Sequence, residues 1–277
     1  MLVNDELGQR MKRYYEEIPK SRLMRRVPVA IRIDGKAFHT FTRGFERPYD
    51  RVLMNAMQRT MQYMCKNIQG CVFGYCQSDE ITLILLDYFK FTTEAWFDYE
   101  IEKICSISAS MATFAFNKFF LEETREFLEQ NQDDASYQQY LTYSKAIDKG
   151  AMFDARCFNI PKEEVTNLIY WRQLDATRNS IQMAGQKQFS QAQLEGKTCN
   201  DIQNMLLTEK DINWNNYPTD CKRGAACIKR TVGANISAAL GIAGAEYKTE
   251  WWIDQNIPIF KGEGRDYIDS LIYVGES

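Results

Sequence analysis

The chain has 277 residues, of which 45% are hydrophobic and 26% are charged. This composition is typical of a globular protein with one large domain or two small ones. The net charge of -3 and pI near 5.5 exclude a strongly basic nucleic-acid-binding protein, although local basic patches can still bind phosphates. Because the chain has no leader-like start and no run of about 18 apolar residues, we expect a cytoplasmic protein without a membrane segment.

Eight cysteines and a single histidine, His39, limit the possible chemistry. The cysteines form no CxxC pair, whereas zinc ligands usually lie about two to four residues apart. We therefore expect free, buried thiols in a reducing compartment. The lone histidine removes histidine-based triads from consideration, so catalysis would use carboxylates, metals or positioned phosphates.

Hydrophobic periodicity predicts alternating helices and strands in the first 160 residues. In chain order these are a helix at 6–18, a strand at 28–33, a helix at 49–68 with methionines as core filler, strands at 71–76 and 81–86, a helix at 94–121 and a strand at 151–160. The acidic segment 122–136 is expected to be a loop or a solvated helix end. Pro161 is expected at the first position of a further helix, with Glu163 and Glu164 in its first turn.

The order strand, helix, strand, strand, helix, strand is the split βαβ pattern of a ferredoxin-like sheet. The predicted fold class is therefore α+β, with a polymerase-type palm and a helical C-terminal extension packed on it. We assign 1–160 to an N-terminal helix and the palm, and 161–277 to a mainly helical extension. That extension is expected to be helical to about residue 210 and then loop-rich, with a late strand at 251–254.

Two acidic positions converge in this topology. The first and second strands run parallel with the third between them, so Asp34 at the end of the first lies beside Asp79 and Glu80 at the start of the third. Acids at a strand edge next to an open backbone carbonyl form a hard-oxygen site suited to Mg²⁺. Taken singly, Asp-Gly at a strand end is also a common turn, and Ser-Asp-Glu also occurs in ordinary hairpins.

The segment after Asp34 suggests phosphate binding. Residues 35–39 (GKAFH) follow a strand directly, as many backbone-amide phosphate cradles do. The chain contains neither a Walker P-loop nor a dinucleotide-binding fingerprint. The basic residues Lys36, Arg43 and Arg47 lie close by in the sequence.

Several segments together resemble the tRNA-histidine guanylyltransferase family. They are RIDGKAFHTFT (32–42), FERPYD (45–50), GYCQSDEITL (74–83) and WRQLD (171–175), with a weaker match in NIPIF (256–260). The resemblance implies a polymerase-like palm that adds nucleotides to the 5′ end of tRNA in the 3′-to-5′ direction. It also implies two Mg²⁺ ions, ATP and GTP or other nucleoside triphosphates as substrates, and a homotetramer.

The same resemblance implies roles for individual residues. The metal ligands are Asp34, the Gly35 carbonyl and Asp79, and the candidate catalytic residues are Asp34, Asp79 and Glu80. The nucleotide-binding residues are Arg32, Asp34, Gly35, Lys36, Ala37, Phe38, His39, Arg47, Ser78, Asp79, Lys103 and Ser106. The candidate tRNA contacts are Asn179, Lys222 and Arg223.

One departure from the family pattern indicates which branch of the family the chain resembles. Eukaryotic members continue WRQ-x-D with a cysteine-histidine-isoleucine-asparagine-asparagine run, whereas Ala176 and Thr177 stand here where cysteine and histidine would be. This resembles the bacterial and archaeal guanylyltransferase-like proteins, which activate the 5′ end with ATP and repair 5′-truncated tRNAs on a template. The alternatives are guanosine addition to tRNA-histidine at position -1, a nucleotide cyclase, and a non-catalytic RNA-binding palm protein.

Overall fold

A computed structural model of the chain describes residues 5–131, 133–232 and 248–274. The described strands are β1 (Val29–Gly35), β2 (Cys71–Gln77), β3 (Glu80–Leu85), β4 (Phe153–Asn159), β5 (Ala225–Val232) and β6 (Lys248–Asp254). The described α-helices are α1 (Glu6–Met11), α2 (Phe38–Phe41), α3 (Arg51–Asn67), α4 (Ile101–Gln130), α5 (Asp134–Lys149), α6 (Lys162–Gln188), α7 (Gln191–Leu194), α8 (Cys199–Lys210), α9 (Thr219–Arg223) and α10 (Asp266–Ile272).

The six strands form one sheet in the order β4-β1-β3-β2-β5-β6, and each neighbouring pair is antiparallel. Since β1 and β2 both run antiparallel to β3, they are parallel to each other with β3 between them. The predicted α+β class and the predicted arrangement of the first three strands are therefore confirmed. The late strand is β6, whereas β5 was not predicted; the two strands extend the sheet beyond β2.

Helices cover both faces of the sheet, because alternate residues of a strand point to opposite sides. Ile31 and Ile33 of β1 pack with residues of α3 and α4 in the larger core, and Ala30 packs with residues of α6 in a second core. All three side chains are fully buried. This two-sided burial explains the nearly continuous apolar runs of β2 and β3 in the sequence.

The crossover helix α3 connects β1 to β2. Its residues Met57, Met61 and Met64 are fully buried, so the prediction that they fill the core is confirmed. The helix begins after Asp50, whose carboxylate accepts a 2.9 Å hydrogen bond from the Leu53 N–H. This N-cap satisfies one of the backbone donors that the first helical turn leaves unpaired.

The helix predicted over 94–121 begins and ends later than expected. Residues 97–99 all have positive φ, between 50° and 55°, a conformation that interrupts a helix, so α4 begins after them. At the other end, Glu122 and Glu123 pair with Arg59 of α3 at 2.5 and 2.7 Å. These ion pairs hold the acidic C-terminal part of α4 against α3.

Three other local predictions are corrected. The segment 122–136 is not a loop: α4 runs through most of it and α5, which was not predicted, follows, with Tyr143 and Ala146 buried. Pro161 is the N-cap of α6 rather than its first residue. The helix predicted at 6–18 is α-helical only in α1, which continues as a π-helical turn.

All eight cysteines are free, as expected, but Cys105, Cys157 and Cys199 are only half-buried. Among the described helices, α4 alone is long and apolar enough, by length and composition, to cross a membrane. Its residues Ile104 and Phe116 are fully buried in the larger core. The position of α4 against the sheet is that of a core helix.

Candidate active site

Asp34 and Asp79 meet at one edge of the sheet. The Gly35 N–H donates a 3.1 Å hydrogen bond to the Asp79 carbonyl. Asp34 lies directly opposite Glu80 in the register of β1 and β3. The convergence predicted from the strand order is therefore confirmed, and it places three carboxylates next to one another in the chain's central strands.

The two aspartates influence each other electrostatically. Burial raises the pKa of Asp79, and the nearby negative charge of Asp34 raises it further. The Ser78 hydroxyl lowers it, by donating a 2.9 Å hydrogen bond to Asp79 Oδ1. The arrangement gathers negative charge in a partly desolvated place, where a cation would stabilise the ionised carboxylates.

The donor set fits Mg²⁺ only in part. Within residues 5–131, 133–232 and 248–274, no group of three or more His, Cys, Asp or Glu side chains is placed to hold a metal ion. Mg²⁺ characteristically takes one or two protein carboxylates and completes its shell with water and substrate phosphates. Asp34 and Asp79 therefore suit an ion that binds together with a triphosphate, and they do not form a complete cage.

A cleft of about 460 Å³ opens beside these carboxylates. Of the residues predicted to bind nucleotide, it is lined by Asp34, Gly35, Ala37, Phe38, His39, Arg47, Ser78 and Asp79. Ala37 and Ser78 have positive φ (55° and 50°), a conformation that costs free energy in non-glycine residues and often occurs at functional sites. A Cβ atom on Gly35 would lie 2.2 Å from the Phe38 ring, so glycine is required there.

Other predicted nucleotide-binding residues do not line this cleft. Lys36 is exposed, and its N–H donates to the Met152 carbonyl at 2.8 Å. Lys103 and Ser106 are exposed on α4, where the Ser106 hydroxyl donates to the Lys103 carbonyl at 3.3 Å. Arg32 lies beside Glu80, with Nε 3.8 Å from Oε2. None of these four residues is among those that line the cleft.

The WRQLD segment supplies a residue whose role the sequence alone did not assign. Arg172 of α6 donates from Nε to Glu80 Oε1 at 2.6 Å and from Nη2 to Asp175 Oδ2 at 3.0 Å. Burial raises the pKa of Glu80, and the positive charges of Arg172 and Arg32 lower it. Arg172 therefore offsets part of the cost of burying the Glu80 charge, and it joins α6 to β3.

The next residue of that segment connects it to the NIPIF segment. The Gln173 side chain donates to the Pro258 carbonyl at 2.8 Å and accepts from the Phe260 N–H at 3.0 Å. Both matching segments of the C-terminal half are thereby placed against the same strands. The WRQLD motif was visible in the sequence. The residues that Gln173 contacts lie about 90 positions further along the chain, so the sequence did not identify them.

Of the candidate tRNA contacts, Asn179 lies beside the cleft, and Lys222 and Arg223 belong to the neighbouring helix α9. Asn179 lines a smaller cavity of about 100 Å³ that shares Ser78 with the cleft and is also lined by Gly224, next to Arg223. The Arg223 carbonyl accepts a 2.6 Å hydrogen bond from the Tyr75 hydroxyl. Lys222 donates to a backbone carbonyl at 2.5 Å. α6, α9 and the turn between β2 and β3 therefore meet at one end of the sheet.

Comparisons with known proteins agree on one family. A family model described as tRNAHis guanylyltransferase (Thg1) matches residues 8–161. Uncharacterized protein R259 of Acanthamoeba polyphaga mimivirus is 32% identical over 244 residues, which are 83% of this chain and 80% of that protein. The tRNA(His) guanylyltransferase of Saccharomyces cerevisiae is 27% identical over 222 residues, 73% of this chain and 82% of that protein.

Solved structures show the same relationship over nearly the whole chain. A bacterial tRNA(HIS) guanylyltransferase (Thg1)-like protein in complex with ATP is 36% identical, with a TM-score of 0.77, and the match covers 97% of this chain and 100% of that one. The complex of such a protein with GTP is 34% identical, with a TM-score of 0.74 and the same coverage.

Proposed function

Because the chain belongs to the tRNAHis guanylyltransferase (Thg1) family of nucleotidyltransferases, we propose that it repairs the 5′ ends of tRNAs by template-dependent 3′-5′ nucleotide addition. The observation that carries the chemistry is the convergence of Asp34 and Asp79 beside the cleft. The observation that favours repair is Thr177 in place of the histidine of the eukaryotic motif.

We assign the sheet β4-β1-β3-β2 with its helices to a ferredoxin-like, polymerase-type palm. In this assignment residues 1–160 supply the catalytic unit, and residues 161–277 supply the tRNA-contacting unit. Asn179, Lys222 and Arg223 belong to the second unit, and Asn179 lines the smaller cavity beside the cleft. Homotetramer formation and a cytoplasmic location belong to the same proposal. In a tetramer, basic residues of neighbouring subunits would form a joint surface for tRNA on an otherwise acidic protein.

In the proposed first step, the 5′-monophosphate of the tRNA attacks the α-phosphorus of ATP, and pyrophosphate leaves. The 3′-hydroxyl of the incoming nucleoside triphosphate then attacks the activated 5′-phosphorus, and AMP leaves. Both steps are phosphoryl-group substitutions, which depend mainly on positioning and charge stabilisation. These steps require no catalytic histidine. His39, the single histidine of the chain, lines the cleft and is assigned no catalytic role.

Different residues of the cleft are assigned to the metal, the triphosphate and the activating nucleotide of this reaction. Asp34, Asp79 and the Gly35 carbonyl would hold Mg²⁺, which when bound neutralises phosphate charge and lowers the pKa of the attacking hydroxyl. The backbone of residues 37–39 and the Ser78 side chain bind the triphosphate, whereas the Lys36 N–H is already bonded to the Met152 carbonyl. Arg47, which also lines the cleft, binds the activating nucleotide. Arg32, Lys103 and Ser106, which lie outside the cleft, would contact parts of a nucleotide that extend beyond it.

The structure gives Thr177 a local role that differs from recognition. Its hydroxyl donates a 2.9 Å hydrogen bond to the Gln173 carbonyl one turn earlier in α6. A histidine side chain could present two ring nitrogens to RNA, whereas this hydroxyl is already used within the helix. Choice of nucleotide would then fall to pairing with the template base across the acceptor stem.

The test is a competition between two tRNAs. A 5′-monophosphorylated tRNA lacking its first nucleotide and full-length tRNA-histidine are incubated together with ATP, Mg²⁺ and labelled nucleoside triphosphates. We expect faster addition to the truncated tRNA and incorporation that follows the template base when this base is changed. Incorporation that ignores the template base contradicts the proposal.

The second candidate is guanosine addition to tRNA-histidine at position -1. It is favoured by the similarity of the chain to the tRNA(His) guanylyltransferase of Saccharomyces cerevisiae. In the competition it predicts faster reaction of the full-length tRNA and guanosine as the added nucleotide. The same experiment therefore separates the two candidates.

A further inference from the structure

A second groove lies at the opposite end of the central strands. Its larger part is a cavity of about 730 Å³ lined by the start of β2 and the residue that follows β3, Cys71 and Leu86. The cleft lies where β2 ends and β3 begins, at Ser78 and Asp79. At about 3.3 Å per residue, the six residue steps of β2 separate the two by about 20 Å.

The charge of this cavity is of one sign. Its lining includes Lys66, Lys90 and Lys229 and no aspartate or glutamate. No ion pair joins any of the three lysines to a carboxylate in the described parts of the chain. In a protein of net charge -3, three unneutralised lysines around one cavity indicate an anionic ligand.

An aromatic side chain stands among these lysines. Trp251 of β6 is half-buried, and Lys229 Nζ lies 5.0 Å from its ring centroid. Trp251 and Lys66 also line an adjoining cavity of about 520 Å³, together with Tyr63 and Glu250, and Glu250 is paired with Arg230 at 2.8 Å. The two cavities share Lys66 and Trp251, and we call them together the rear groove, defined by Tyr63, Lys66, Lys90, Lys229 and Trp251.

We propose that the rear groove binds an unpaired segment of the same RNA whose 5′ end lies in the cleft, with lysines on the phosphates and a base stacked on Trp251. A positive groove with aromatic side chains is the usual design for single-stranded nucleic acid, since every base has a stacking face. The two adjoining cavities of the rear groove together span more length than the binding of one free nucleotide needs. The inference rests on the proposed function for the identity of the RNA.

The test compares two pairs of lysine substitutions with equal change in charge. Lys66→Gln/Lys229→Gln alters the rear groove, and Lys145→Gln/Lys149→Gln alters exposed lysines of α5 that line no described cavity. For each protein, tRNA affinity is measured over a range of salt concentrations. ATP and GTP affinity, and nucleotide addition to a short acceptor-stem duplex, are measured in parallel.

We expect the rear-groove pair to weaken tRNA binding about tenfold at low salt. We expect the slope of log affinity against log salt to fall by about 1.5, since each lost phosphate contact changes it by about 0.7 to 0.9. Nucleotide affinity and activity on the short duplex should equal those of the wild type. Trp251→Leu, at an unchanged unfolding midpoint, should weaken tRNA binding to a similar extent.

Three results would overturn the inference: wild-type tRNA affinity in the rear-groove pair, an equal loss in the α5 pair, or loss of a free-nucleotide site in place of tRNA affinity. Failure of the proposed function looks different. The wild type would then add no nucleotide to either RNA, while the binding measurements would still decide whether the rear groove holds RNA.

Discussion

At the scale of single residues, two carboxylates at the same sheet edge have different surroundings. Asp34 lies next to the half-buried Asp79, and both line the cleft. Asp154 lies opposite Asp34 on β4, but it pairs with Arg156 at 3.2 Å and its side chain is 62% exposed. Because the two share a strand register and differ in access to the cleft, Asp154 is a matched control for Asp34.

Asp34→Ala and Asp79→Ala should each reduce nucleotide addition by at least about 100-fold while leaving the fold intact, because each removes half of the carboxylate pair that would position the cation and the triphosphate. Turnover with saturating Mg²⁺ and circular dichroism measure the two effects. Asp154→Ala should keep activity within a few-fold of the wild type. Near-normal turnover of Asp34→Ala or Asp79→Ala would show that these carboxylates do not serve catalysis.

Arg172 supports a prediction about stability. Its pair with Glu80 is buried, with both side chains under 10% exposed, and removing one partner of such a pair leaves an uncompensated charge. Arg172→Met should therefore lower the free energy of unfolding by about 3 to 5 kcal/mol. Urea unfolding measures the loss.

The matched control for this prediction is Arg230→Met. Arg230 pairs with Glu250 at 2.8 Å, but both side chains are more than 40% exposed, so the loss should stay below about 1 kcal/mol. The double substitution Arg172→Met/Glu80→Gln should be more stable than Arg172→Met alone, because the buried Glu80 charge that Arg172 compensated is removed as well. Similar losses at the two arginines would contradict this account.

At the scale of elements, Asp50 joins three parts of the chain around the cleft. Besides capping α3, its carboxylate accepts a 2.9 Å hydrogen bond from the Glu46 N–H and a 2.7 Å hydrogen bond from the Tyr143 hydroxyl of α5. Burial raises the pKa of Asp50, and these donors lower it. One side chain thus fixes the start of the crossover helix, the loop at the cleft and the unpredicted helix α5.

Asp50→Ala should lower the free energy of unfolding by about 3 kcal/mol, since it removes an N-cap and leaves buried donors without an acceptor. Asp133→Ala provides the comparison: Asp133 caps α5 through the Ser136 N–H at 2.8 Å but is exposed, so its substitution should lower the free energy of unfolding by less than Asp50→Ala does. Denaturant unfolding of both variants measures the difference. Equal losses would mean that Asp50 acts only as a cap.

At the scale of the whole molecule, the two proposed units share one sheet. β5 and β6 extend the edge of β2, and α6 and α10 cover one face, where Ala30, Phe73, Tyr75 and Ile84 are fully buried. The proposed boundary at residue 160 therefore runs through a shared sheet and a shared core.

A chain that ends at residue 160 should fail to unfold cooperatively, because it exposes the apolar face that α6 and α10 cover. Near-ultraviolet circular dichroism and urea unfolding measure this. A chain that lacks residues 1–18 is the control, since α1 and the π-helical turn after it bury no residue, and it should unfold cooperatively. Cooperative unfolding of residues 1–160 alone would contradict the shared-core account.

The sequence by itself determined the elements whose pattern is local. The periodicity of β1, α3, β2 and β3 predicted each element to within a few residues, and their order alone placed Asp34 beside Asp79. It also determined the family, because the motifs are short contiguous runs. These inferences succeed because strand and helix periods, and the direction of connected strands, depend on neighbours in the chain.

Only the tertiary structure decided the contacts between distant segments. Arg172 meets Glu80 across 92 positions of the chain, and Tyr143 of α5 reaches Asp50 across 93 positions. The rear groove likewise combines α3, β5 and β6. Such contacts depend on where each helix crosses the sheet, which long-range packing sets and local residue patterns do not encode.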